Sequence, residues 1–67
     1  MPVGRVTKWV SQSAYGFILP HSGDDRKIFV HISDITDKRA LEPGDEVRFE
    51  RAEDSRGRPK AVQVERL

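Results

Sequence analysis

Apolar and polar residues alternate with a period of two along most of this 67-residue chain, and no window shows the 3.6-residue period of a helix. Turn-forming residues separate the alternating stretches. The predicted strands are residues 4–10, 15–19, 27–32, 46–51 and 61–65. Because no helix is available to cover a sheet, we expect an all-β, five-stranded antiparallel barrel whose closure removes exposed strand edges. An SH3-like barrel satisfies the same pattern, so the strand count alone does not identify the fold.

Polar segments rich in Gly, Pro, Asp and Ser connect the predicted strands. The predicted connections are a turn at 21–25, one tight or 3₁₀ turn at 33–37, a loop at 38–42, a turn at 43–45 and a mobile hairpin loop at 53–59. Asp24 and Asp25 are expected to stabilise the first of these turns. Two adjacent acids supply too few ligands for a metal site.

The length and composition of the chain limit its class. We expect a single domain over residues 1–67 with a modest core. Without Cys, the chain has neither disulfides nor thiolate metal sites, which fits a reducing compartment. No stretch approaches the ~18 apolar residues of a membrane span, so a soluble cytoplasmic protein is expected. The net charge of +1 is small for a protein that binds nucleic acid, so charge alone does not point to that function.

The third predicted strand separates two kinds of side chain. Ile28, Val30 and Ile32 share one side of the strand, which is expected to face the core. Phe29 and His31 therefore point toward solvent.

Further aromatic residues are predicted on the same outer side of the sheet. Tyr15 and Phe17 share one face of the second strand, while Ile18 joins the core and Gly16 places no side chain inside a tightly curved sheet. Phe49 alternates with Val47 and is expected in the core. The four aromatics assigned to one outward face are Trp9, Tyr15, Phe17 and Phe29.

Large exposed apolar side chains are costly in a domain this small unless they have a partner. A stacking platform for nucleic-acid bases explains the group, because every base presents a π-face to an aromatic ring. The alternative is that these rings are buried, or that they cover the barrel without a binding function.

Two motifs make a family resemblance visible. Tyr15-Gly16-Phe17-Ile18 resembles the first ribonucleoprotein motif of cold-shock domains, and Ile28-Phe29-Val30-His31-Ile32 resembles the second. Further matches extend over nearly the whole chain, including the run from Leu41 to Phe49. The order and spacing of the two motifs on adjacent strands make this a specific signal.

The resemblance implies a five-stranded oligonucleotide-binding (OB) fold that binds single-stranded RNA or DNA across its first three strands. It implies that Tyr15, Phe17, Phe29 and His31 stack on bases and that Lys8 meets a phosphate or a base edge. It implies no cofactor and no metal. A monomer is expected, with an RNA-chaperone, antitermination or translation-control role.

Several departures from the family pattern predict weaker, still salt-dependent binding. Ser13-Ala14 replaces the family's Lys-Gly, Ile32 replaces an aromatic, and the loop after Ile35 is short and lacks its usual aromatic. Lys27, before the second motif, partly restores positive charge.

The position of Trp9 leaves two alternatives. A match without gaps puts Lys8 at the family's Trp position and Trp9 at the following Phe. A one-residue bulge in the first strand would return Trp9 to the usual place.

Three basic residues near the last hairpin, Arg56, Arg58 and Lys60, are either solvated or in contact with phosphate, and Lys60 is the best placed of them. No Ser, His and Asp set lies in a nucleophile-elbow context such as G-x-S-x-G. A barrel this small is also expected to lack a substrate pocket of about 300 Å³ or more, so we expect no enzyme.

The leading hypothesis is a binding module for single-stranded nucleic acid. The first alternative is a protein-interaction barrel that has lost affinity for nucleic acid, which the near-neutral charge and the missing Lys-Gly favour. The second alternative is a cold-shock domain excised from a larger protein.

Overall fold

A computed structural model describes residues 2–21 and 26–67. Its elements are strands β1 (Val3–Val10), β2 (Tyr15–Pro20), β3 (Ile28–His31), β4 (Glu46–Glu53) and β5 (Pro59–Arg66), with a 3₁₀ turn at Ile32–Asp34. Each strand overlaps its predicted range, but β3 is shorter than the predicted strand at 27–32 because Ile32 begins the 3₁₀ turn. Most of the predicted turn at 21–25, including Asp24 and Asp25, falls outside the described residues.

The hairpin between β4 and β5 is shorter than the predicted loop at 53–59. Ala52 pairs with Lys60 and Glu53 pairs with Pro59, so the ladder continues beyond both predicted strand ends. The turn is closed by the Gly57 amide, which donates to the Asp54 carbonyl at 2.9 Å. Gly57 has a φ of 78°, a conformation that glycine adopts without strain.

The strands close into a barrel in the order β1-β2-β3-β5-β4, which confirms the predicted architecture. β1 pairs antiparallel with both β2 and β4 and so joins the two ends of the sheet. β3 and β5 meet in parallel, where Phe29 pairs with Lys60, and this differs from the fully antiparallel prediction. The parallel contact brings the start of β5 beside the outward residues of β3.

Among the described residues, ten form one buried core inside the barrel: Val6, Ile18, Ile28, Val30, Ile35, Leu41, Val47, Phe49, Ala61 and Val64. The predicted core positions of Ile18, Ile28, Val30 and Phe49 are confirmed, and Ile32 is half-buried against the cluster. Leu41 lies in a segment predicted only as a loop, yet it is 1% exposed. Full burial of such a side chain contributes about 1.5–3 kcal/mol.

Gly16 allows the first two strands to approach closely. A Cβ atom on this residue would lie 2.3 Å from the Lys8 carbonyl oxygen and 2.6 Å from a ring atom of Trp9. Both distances are shorter than any van der Waals contact, so only glycine fits. This confirms the prediction that the tightly curved sheet leaves no room for a side chain at Gly16.

No helix in residues 2–21 or 26–67 has the length and apolar character needed to cross a membrane.

Candidate nucleic-acid interface

Three aromatic rings contact one another on the outer surface of β2 and β3. The ring centroids of Tyr15 and Phe29 are 5.4 Å apart, those of Tyr15 and Phe17 are 5.9 Å apart, and those of Phe17 and Phe29 are 6.2 Å apart. Strand pairing explains the cluster, because Phe17 lies directly opposite Phe29. All three residues are half-buried, so part of each remains open to solvent.

His31 extends this surface, since it lies opposite Tyr15 in the same ladder. Its Nδ1 accepts a hydrogen bond from the backbone N–H of Ser33 at 3.1 Å and lies 3.0 Å from the Ser33 hydroxyl. In the neutral ring the proton therefore lies on Nε2, where it can be donated to an external acceptor. We call Tyr15, Phe17, Phe29 and His31 the aromatic face.

The register of β1 decides the position of Trp9. Val6 pairs with Ile18 and Lys8 pairs with Phe17, so Thr7 is an extra residue in a bulge. Because directly paired residues share a side of the sheet, Lys8 lies beside the aromatic face.

The prediction that Trp9 shares the outward face with the other three aromatics is wrong. Trp9 pairs with Gly16, on the inner side of the sheet, and its half-buried ring packs against the core. The bulge at Thr7 is the cause, because it reverses the alternation expected from residues 4–10. A bulge in the first strand is therefore present, but it does not bring Trp9 to the aromatic face, because Lys8 and not Trp9 lies opposite Phe17.

A groove of about 360 Å³ runs beside the aromatic face. Its lining residues are Phe17, Lys27, Phe29, Asp54, Arg58 and Pro59. This volume reaches the 300 Å³ of the predicted limit, but the space is an open surface groove and not the deep substrate pocket that the prediction excluded. The groove exists because the end of the β4–β5 hairpin stands beside β2 and β3 and forms a second wall.

Four predicted basic residues surround the aromatic face. Lys8 lies opposite Phe17, Lys27 and Arg58 line the groove, and Lys60 pairs with Phe29. The structure thus brings together eight of the nine predicted binding residues, and Trp9 lies behind them. Arg56, the remaining basic residue of the hairpin, does not line the groove.

Two of the four cations have an acidic partner. Arg58 Nε lies 3.3 Å from Asp54 Oδ2, and Lys60 Nζ lies 3.9 Å from Asp34 Oδ2. Lys8 and Lys27 form no ion pair with any residue that the structure describes.

Asp54 organises the hairpin that forms the groove wall. Its Oδ1 accepts hydrogen bonds from the backbone N–H groups of Arg58 and Arg56, both at 2.9 Å. The hydrogen bond from the Arg58 amide is the main reason that the pKa of Asp54 lies below its ordinary value of 3.8. Asp54 therefore carries its negative charge at neutral pH.

The sequence interpretation did not single out Asp34 and Asp54 as part of this surface. Asp54 sits in a polar loop where a charged residue is usual, and only the fold of the hairpin brings it to Phe17 and Phe29. Asp34 follows the second motif, but only the parallel contact of β3 and β5 brings it to Lys60.

A separate ion-pair cluster lies where β1 meets β4. Glu46 accepts a hydrogen bond from Arg5 Nε at 3.0 Å, and His21 Nε2 lies 2.8 Å from its other carboxylate oxygen. The Arg5 hydrogen bond, followed by that of His21, lowers the pKa of Glu46 below its ordinary 4.5. Within the described ranges, no three His, Asp or Glu side chains are grouped so that they could hold a metal ion.

Comparison with known proteins gives consistent matches. A family model described as the 'Cold-shock' DNA-binding domain matches residues 3–67. The chain is 39% identical over 69 residues to Cold shock-like protein CspLB of Listeria monocytogenes and to Cold shock protein CspD of Bacillus subtilis, covering 100% of each. It is 42% identical over 63 residues to Cold shock domain-containing protein 4 of Arabidopsis thaliana. It spans 31% of that plant protein.

Proposed function

The chain belongs to the cold-shock domain family, a non-enzymatic family that binds single-stranded nucleic acid. We propose that the bases of such a nucleic acid stack on Tyr15, Phe17 and Phe29. One observation carries this proposal: the three rings contact one another on the outside of the barrel with cations around them. A base that stacks on an aromatic side chain contributes about 1–3 kcal/mol. A ligand therefore recovers the cost of exposing these rings.

Each remaining predicted residue has a role in this proposal. His31 stacks on a further base or donates from Nε2 to a base or phosphate oxygen. The four cations, Lys8, Lys27, Arg58 and Lys60, contact successive phosphates. Trp9 lies behind Gly16, where its ring packs against the core and supports the surface from within.

We also propose that residues 1–67 act as one monomeric domain in the cytoplasm, as an RNA chaperone or a regulator of transcription termination or translation. The proposed ligand is single-stranded RNA or DNA with little sequence preference. No cofactor or membrane takes part in this function.

The test is a titration of fluorescently labelled oligo-dT and oligo-U, followed by anisotropy and by quenching of Trp9, at about 50 mM and about 200 mM salt. We expect binding that weakens as salt rises. Phe17→Ala and Phe29→Ala should each weaken it by about 1–3 kcal/mol, because each removes one stacking surface.

Leu67→Ala is the matched control, since it removes a large side chain that is 69% exposed and distant in sequence from the aromatic strands. This variant should bind as the wild type does. Unfolding of Phe17→Ala and Phe29→Ala, detected by far-UV circular dichroism, would show that these rings are needed for the core. Folded wild-type protein that binds neither oligonucleotide at low salt would rule out the proposal.

The pairing of Arg58 and Lys60 with acids favours one alternative, a protein-interaction barrel whose affinity for nucleic acid has been lost. The same titration separates the two functions, because only a barrel of this second kind gives no change in anisotropy with either oligonucleotide.

A further inference from the structure

Two of the cations beside the aromatic face are held by carboxylates of the protein itself. Asp54 holds Arg58 on the wall of the groove. Asp34 holds Lys60 where β5 meets Phe29. A phosphate that approaches either cation therefore meets a carboxylate that is already bound there.

We propose that Asp34 and Asp54 compete with nucleic-acid phosphates for Lys60 and Arg58, and that this competition lowers both the affinity and its dependence on salt. The inference rests on the proposed function and names two residues that regulate the same site. Each acid acts by pairing with a cation that a phosphate would otherwise contact, and it does not contact the ligand itself.

The backbone fixes the carboxylate of Asp54 and the main chain of Asp34 independently of the neighbouring cations. Asp54 is held through Oδ1 by two backbone N–H groups, which leaves Oδ2 for the guanidinium. Asp34 belongs to the 3₁₀ turn that His31 caps by accepting from the Ser33 amide. The Asp54 carboxylate therefore remains beside the face when a phosphate arrives, and the turn that carries Asp34 stays beside β5 because Ile35 bridges Val64.

Counterion release gives the inference a measurable form. For single strands, the slope of log K against log salt is about −0.7 for each phosphate that a cation neutralises. When Lys60 or Arg58 exchanges its carboxylate for a phosphate, the freed carboxylate takes up a salt cation, so the net release is close to zero. The wild-type slope then comes mainly from Lys8 and Lys27, at about −1.4.

The experiment compares Asp34→Asn, Asp54→Asn and the double variant with the wild type, using labelled oligo-dT over a salt series. Asparagine keeps the shape of the side chain, and its oxygen can still accept from the two hairpin amides. Each single variant should bind about 2- to 5-fold tighter at low salt, the range expected from losing an exposed ion pair. The double variant should reach a slope of about −2.8.

Glu65→Gln is the matched control. It makes the same change in net charge and removes an ion pair of the same kind, with Arg48, from a position that does not line the groove. We expect its affinity near physiological salt to change by less than about 2-fold, because a charge outside the groove acts on the ligand only through long-range repulsion, which salt screens.

A double-mutant cycle tests the pairing itself. In a Lys60→Gln background, Asp34→Asn should no longer tighten binding, because the cation that it would release is absent. An equal effect in both backgrounds would show that Asp34 acts through net charge and would overturn the inference. Unfolding midpoints in urea check that each variant is folded. Because Asp34 lies outside the hairpin, Asp34→Asn tests the inference even if Asp54→Asn disturbs the hairpin.

The possible outcomes separate the two proposals. If the wild type binds and both Asn variants behave as Glu65→Gln does, competition is refuted while the proposed function stands. Weaker binding by Asp54→Asn would show that its carboxylate contacts the ligand, which also refutes competition. If neither the wild type nor the double variant binds, both proposals fail. Binding by the double variant alone would support competition but would rule out the proposed function of the wild-type chain.

Discussion

Ala14 offers the most direct test of backbone strain in this fold, through the variant Ala14→Gly. Ala14 has a φ of 57°, in the left-handed region, where its Cβ crowds the following carbonyl. Its own carbonyl accepts from the Ile32 amide at 2.9 Å, so the turn is tied to the end of β3. Glycine removes the crowding and leaves this hydrogen bond in place.

The expected gain in stability follows from two opposing effects. Relief of the left-handed strain is worth about 1–2 kcal/mol. The extra freedom of glycine in the unfolded chain costs about 0.5–1 kcal/mol. Ala14→Gly should therefore raise the free energy of unfolding by about 0.5–1 kcal/mol, which corresponds to a rise in Tm of about 2–8 °C in a domain of this size.

The assay is urea and thermal unfolding, followed by Trp9 fluorescence and far-UV circular dichroism. Ala40→Gly is the control, since Ala40 is exposed and is not among the described residues with positive φ. The control should lose about 0.4–1 kcal/mol, because it gains only unfolded-state freedom. If Ala14→Gly loses as much as the control, the left-handed strain does not exist and the reasoning is refuted.

Two further predictions concern strand packing and acid stability. Gly16→Ala should destabilise the fold by at least about 1–3 kcal/mol in urea unfolding, because its Cβ would overlap the Lys8 carbonyl, and an unchanged midpoint would contradict the close approach of the strands. Glu46 has a lowered pKa in the folded state, so its contribution to stability is present above pH 4.5 and is lost as pH falls through the folded pKa. Glu46→Gln should therefore lower Tm at neutral pH but not at a pH well below 4.5, and an equal loss at both would show that the carboxylate's charge is not responsible.

The alternation in the sequence predicts those parts of the fold where successive side chains of a strand point regularly to opposite faces of the sheet. It correctly places Ile28 and Val30 inside the barrel and Phe29 outside it. The bulge at Thr7 breaks this rule, because one extra residue sends Trp9 to the opposite side of the sheet. A bulge depends on the pairing with β2, and no local pattern in β1 reveals it.

Contacts between distant segments could not be predicted in the same way. Leu41 is buried although the residues on either side of it are exposed and the segment shows no periodicity, since burial there depends on how the loop crosses the barrel. The groove likewise requires Asp54 and Arg58 to stand beside Phe17, which the hairpin length alone does not determine.

The position of Lys8, opposite Phe17, affects how the face obtains its affinity. Stacking on the three rings, at about 1–3 kcal/mol for each base, depends little on salt, whereas phosphate contacts weaken steeply as salt rises. Because acids already hold Arg58 and Lys60, most of the salt-dependent part falls to Lys8 and Lys27. The affinity at high salt therefore measures the contribution of the rings, and the slope of log K against log salt measures that of the lysines. On this basis, Lys8→Gln should reduce the magnitude of the slope of log K against log salt by about 0.7 and leave the affinity extrapolated to high salt nearly unchanged. Phe29→Ala should lower the affinity extrapolated to high salt and leave the slope nearly unchanged.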